Sequence, residues 1–135
     1  MYLSRLILNP HSRRVQREVA NPYQMHRSLM RAFPDDLKEG DERVLFRLEP
    51  GRNGALTLLV QSWTLPDWSY LAVPDFRSYL RPVGEPNPAV KPFDLKLAAG
   101  QVLAFRLRAN PTARRTFDDK KRRVGIYDEE EQLAW

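Results

Sequence analysis

Asn21-Pro22 fixes the start of a helix, and the rest of the chain has to fold around it. An asparagine at the N-cap accepts from the free backbone N–H groups of the first turn, and a proline at the first helical position loses nothing by lacking its own N–H. At about 100° per residue, Met25, Leu29, Ala32 and Phe33 then gather into one apolar stripe. Tyr23, His26 and Arg27 fall on the adjoining side. The helix thus needs a partner for its stripe and leaves a phenol, an imidazole and a guanidinium at its edge.

Strands supply the partner. Residues 2–8 (YLSRLIL) form a compact apolar run closed by Asn9-Pro10, the pattern of a buried strand and a turn. The basic stretch 12–19, with Arg13 and Arg14, predicts a short helical turn over the surface. Residues 43–49 alternate, with Val44, Phe46 and Leu48 on one side; residues 55–62 return with Leu56, Leu58 and Val60 inward, which makes an antiparallel hairpin. Prolines at 66, 74, 82, 86, 88 and 92 exclude a long helix from the stretch that follows. There Trp63, Leu65, Trp68, Tyr70 and Leu71 are expected to pack a short helix or turn on the sheet, and 77–83 to add an edge strand. A last strand is predicted at 102–109, with Leu103, Phe105 and Leu107 inward and Arg106 and Arg108 outward. Asp128 opens a helix with an acidic first turn. Strand, helix, hairpin, irregular crossover and strand are the order of an α+β, ferredoxin-like βαββαβ domain with a shortened or irregular second helix, the architecture shared by RNA-recognition motifs. The aromatic signature of those motifs is missing: arginines stand where stacking rings are expected.

A chain of 135 residues suffices for one domain with a real core. Without cysteine it has neither disulfides nor thiolate metal sites, and its two histidines lack the carboxylate spacing of a metal centre. No apolar run approaches the ~20 residues of a membrane span, and the N-terminus lacks the pattern of a signal peptide, so no membrane partner and a cytoplasmic location are expected. The net charge of +5 points to a polyanion. It is concentrated between Phe105 and Gly125, where Arg106, Arg108, Arg114, Arg115, Lys120, Lys121, Arg122 and Arg123 face only Asp118 and Asp119. Such a run is either a solvated loop or a phosphate-binding surface.

Tyr23, His26 and Arg27 suit RNA cleavage without a metal or other cofactor. A 2′-hydroxyl attacks the neighbouring phosphate when one group removes its proton, another protonates the departing 5′-oxygen and a cation steadies the extra charge. Histidine exchanges protons near neutrality, whereas tyrosine acts as a base only where cations stabilise its phenolate. By spacing alone, the pair is more often a tyrosine and a histidine at a core boundary than a catalytic couple.

Several separated segments carry a more specific signal: MYLSRL at 1–6, YQMHRSL at 23–29, FRLRANP at 105–111 and EQLAW at 131–135. In this order they resemble the CRISPR-associated endoribonucleases of subtype I-E, the CasE family, which excise guide RNAs from a repeat-containing precursor. The resemblance implies that His26 is the general acid/base, Tyr23 its partner at the 2′-hydroxyl and Arg27 a phosphate contact. It also implies a CRISPR repeat hairpin as substrate, products ending in a 5′-hydroxyl and a 2′,3′-cyclic phosphate, no cofactor, and partners within the Cascade complex. Arg13, Arg14 and the late cluster are the candidate RNA contacts. Members carry a second ferredoxin-like domain beyond the helix near Asp128, so the expected division is a domain at 1–125 and the start of a linker helix at 126–135. A non-catalytic RNA-binding or assembly module is the alternative, using the basic cluster but neither Tyr23 nor His26.

Overall fold

The computed structural model describes residues 1–35, 42–51, 54–104, 112–117 and 120–134. They divide into two compact units, 1–96 and 97–135.

The first unit opens with β1 (Tyr2–Leu8), α1 (Arg13–Ala20) and α2 (Pro22–Met30). The hairpin β2 (Leu45–Pro50) and β3 (Leu56–Ser62) follows, then two 3-10 turns at Trp68–Ala72 and Pro74–Phe76, then β4 (Ala89–Pro92). The strands form one antiparallel sheet in the order β2-β3-β1-β4, with Leu6 opposite Leu58 and Leu48 opposite Leu58 on its other side. This is the ferredoxin-like arrangement, with two tight turns standing for the second helix. Strand alternation sends Leu6, Leu8, Leu58 and Val60 to one face, where they meet Met25, Leu29, Ala32 and Phe33 of the α2 segment, Val15 of α1, and Trp68, Leu71, Phe76 and Tyr79. Each large side chain removed from water contributes roughly 1.5–3 kcal/mol, so the stripe predicted from the sequence anchors α2 firmly.

Three expectations about the strands and aromatic residues change. The fourth strand is Ala89–Pro92, not 102–109: β1 has two edges, β3 takes one and β4 the other, leaving none for residues 102–104. Those residues are outside any strand, with Val102 94% and Leu103 51% exposed. The rest of the predicted strand, including Phe105, Arg106, Leu107 and Arg108, lies outside the described residues. The edge strand expected at 77–83 shrinks to a single bridge between Leu80 and Leu8. There two backbone bonds remain, Asn9 N–H to the Tyr79 carbonyl and Arg81 N–H to the Ile7 carbonyl, each at 2.9 Å, and the Asn87 side chain takes over beside them: it accepts from Ile7 N–H at 2.9 Å and donates to the carbonyls of Ile7 and Arg81 at 2.8 and 2.9 Å. Finally, Trp68 and Leu71 are buried, but Trp63 and Leu65 are each 58% exposed. Ser62 ends β3 pointing inward, so the next residue points out. Glu42 holds that turn by accepting from the N–H groups of Trp63 and Thr64 at 2.8 and 2.7 Å.

In the second unit, β5 (Thr112–Phe117) pairs antiparallel with β6 (Lys120–Gly125), and α3 (Glu129–Ala134) follows. Asp128 opens α3 by accepting from Glu131 N–H at 3.0 Å. The stretch expected as a basic loop is therefore a two-stranded ribbon over its described part. Among the described residues no helix is long and apolar enough to cross a membrane.

Candidate functional site

Asn21 caps α2 as expected, its Oδ1 accepting from the N–H groups of Tyr23 at 3.2 Å and Gln24 at 3.3 Å. With the stripe anchored in the core, the helix has three outward sectors. Tyr23, 66% exposed, and Arg27 stand on its crest. His26 turns toward β2 and is half-buried against Phe46, ring centroids 6.3 Å apart and planes 21° from parallel. Stacking restricts the imidazole, and the residue is only partly buried. The arrangement can move a proton at His26 and present a hydroxyl and a cation beside it.

The opposite flank of α2 faces α1 across an open groove of about 670 Å³. Arg14 and Arg17 of α1 and Arg27 and Arg31 of the α2 segment line it, with the amides of Asn21 and Gln24. At its floor Glu18 is 4% exposed and fully engaged. Its carboxylate accepts from Ser28 Oγ and from Tyr79 Oη, each at 2.6 Å, and pairs with Arg14 at 3.5 Å. Burial, and then the negative charge of Glu18, push the Tyr70 phenol up; for Tyr79, burial and the bond to Glu18 do so. Both phenols therefore stay protonated donors, Tyr70 to the Ser28 carbonyl at 2.8 Å. Two guanidiniums are held by rings: Arg14 lies 4.0 Å from the Phe76 centroid, and Arg31 lies 5.0 Å from Phe76 and 5.2 Å from Tyr70.

Of the RNA contacts expected from the sequence, Arg14 lines this groove and Arg13 is exposed on α1. Arg106 and Arg108 lie outside the described residues. Arg114, Arg115, Lys120, Lys121, Arg122 and Arg123 are all exposed on the ribbon. There Arg114 sits opposite Arg123, and Arg115 opposite Arg122. Arg115 is paired with Glu131 at 2.6 Å. Like charges directly opposite destabilise a ribbon, so the rows are unfavourable without an anion. Sequence reasoning misses Arg17 and Arg31. Their signal is a spacing of three and four residues from Arg14 and Arg27, which gains meaning only once α1 packs beside α2.

The family model described as CRISPR associated protein matches residues 1–135. The chain belongs to this family. It is 44% identical over 136 residues to the CRISPR-associated endoribonuclease Cse3 of Thermus thermophilus, an alignment spanning 100% of this chain and 59% of that relative. Among solved structures it is similar to Cse3 bound to a 19-nucleotide RNA, with a TM-score of 0.72 and 42% identity over 100% of this chain and 59% of the other. Thermus thermophilus Cse3 bound to an RNA representing a pre-cleavage complex gives a TM-score of 0.77 at 42% identity, over 99% and 61% of the two chains. The chain thus spans about three-fifths of the length of these relatives.

Proposed function

We propose that this chain carries the reacting groups of a CRISPR-associated endoribonuclease that cuts a repeat RNA hairpin by 2′-hydroxyl attack. The observation that carries the reading is the edge of α2, where Tyr23, His26 and Arg27 stand together above a buried stripe, with His26 steadied by Phe46. The relatives named endoribonuclease or solved with RNA support it. His26 is the general acid/base and Tyr23 its partner at the 2′-hydroxyl. As the 2′-oxygen bonds to phosphorus, its proton passes to the base; as the bond to the 5′-oxygen breaks, the leaving oxygen takes a proton. Arg27 balances charge on the phosphoryl oxygens. The products are a 2′,3′-cyclic phosphate and a 5′-hydroxyl, and no metal enters the reaction. The ribbon β5–β6 grips the phosphate backbone of the hairpin, since the deep, narrow major groove of A-form RNA resists side-chain reading. The cytoplasm is the site of action, and other Cascade subunits receive the product.

The test is cleavage of a repeat hairpin by the wild-type chain and by His26→Ala. The substitution lowers the rate about 10²- to 10⁴-fold with RNA affinity unchanged. Equal losses of binding and rate would reassign His26 to recognition.

A further inference from the structure

We propose that the groove between α1 and α2 is a second phosphate site, which holds single-stranded RNA next to the phosphate at Tyr23 and His26. The proposal rests on the RNA-cleaving reading above and extends it to a surface that reading does not use. Four guanidiniums, those of Arg14, Arg17, Arg27 and Arg31, line one concave surface with a single carboxylate, Glu18. That carboxylate is already committed to two hydroxyls and Arg14. Among the described residues Arg17, Arg27 and Arg31 form no ion pair, so the groove carries uncompensated positive charge.

Stacking makes the charge useful. Guanidiniums laid on Phe76 and Tyr70 have lost much of their rotamer freedom before a ligand arrives, and their planar donor forks match phosphate oxygens. Packed helices lie roughly 8–10 Å apart, so the valley between them admits one strand and not a duplex. Arg27 joins the two places, since it stands on the crest beside Tyr23 and also lines the groove. A strand whose scissile phosphate meets His26 crosses the crest at Arg27 and enters the groove on the other flank, so its backbone has to span the width of α2, about 10–12 Å, to reach Arg17 and Arg14.

The experiment is a titration of this chain, ¹⁵N-labelled at arginine, with a four-nucleotide single-stranded RNA, read at the side-chain Nε–Hε signals. The expected result is that Arg17 and Arg27 shift together, and that Arg17→Ala weakens binding roughly 3- to 10-fold while lowering the log–log salt slope by about 0.7, the value for one phosphate held on a single strand. Arg17 is exposed and pairs with no carboxylate among the described residues, so this variant keeps the fold. Movement of the ribbon arginines with the groove signals unmoved would overturn the groove site and leave the RNA-cleaving reading standing. No arginine moving, with no binding of a repeat hairpin either, would overturn both. Equal shifts from a penta-glutamate peptide at the same concentration would reassign the groove to an acidic protein segment.

Discussion

Replacing Glu18 with alanine removes the acceptor for two buried hydroxyls at once. Ser28 Oγ and Tyr79 Oη each donate to it at 2.6 Å, and Arg14 sits 3.5 Å away. A hydrogen bond to a charged group is worth about 1.5–3 kcal/mol, and the Tyr79 hydroxyl, on a residue 1% exposed, would be left in the interior without water. The exposed end of Arg14 recovers solvent, so its share is small. The two hydroxyls together set a loss of about 3–5 kcal/mol, the range found when one partner of a buried charged pair is removed. Glu18→Gln keeps the shape and one acceptor, and the Tyr79 hydroxyl can turn to accept from the new amide, so it should lose only about 1–2 kcal/mol. Urea unfolding followed by tryptophan fluorescence measures both. The alanine variant should show the larger drop in midpoint at an unchanged slope, with the melting temperature lower by about 10–20 °C. A loss below about 1 kcal/mol for Glu18→Ala would refute the reasoning, because it would mean that the tyrosine and serine hydroxyls find other acceptors and that the network does not clamp α1 to α2.

Cleavage of a repeat RNA should survive a chelator and vanish when the scissile ribose lacks its 2′-hydroxyl; loss of activity in chelator alone would sink the proton-transfer mechanism. Neutralising Lys120, Lys121, Arg122 and Arg123 should flatten the salt dependence of RNA binding by about 0.7 to 0.9 for each phosphate the ribbon no longer holds, measured as the slope of log affinity against log salt. An unchanged slope returns the ribbon to a merely solvated surface. Partial burial pushes the Glu42 carboxyl up, but bonds from the N–H groups of Trp63, Thr64 and Arg43 outweigh it and hold the group below the ordinary glutamate range. A depressed folded value means stability that is present above that range and lost as pH falls through it, so thermal midpoints between about pH 7 and pH 3 should fall less steeply for Glu42→Gln than for wild type.

Local chemistry made much of the first unit legible. The Asn21 cap, the proline after it, the 3.6-residue stripe, the apolar run of β1 and the alternation in β2 and β3 depend on neighbours within a few residues, and each forms its element where the sequence places it, although β1 buries only every second residue from Ser4 on. The edge of α2 bearing Tyr23, His26 and Arg27 follows from the same periodicity. Residues 89–92 and 102–109 show what local chemistry leaves open. The second segment has the better strand alternation, yet β1 pairs with the first. An edge goes to the segment that tertiary ties bring to it, here through Asn87 on Ile7, and a side-chain amide standing in for backbone pairing has no periodic signature. The same holds for the groove: Arg14, Arg17, Arg27 and Arg31 read as scattered surface charge along the chain, and only the packing of α1 against α2 gathers them along one open groove. Periodicity decides which side of an element is buried; which elements meet, and hence which charges are forced together, is decided by contacts between residues far apart in sequence, such as Glu18 with Tyr79.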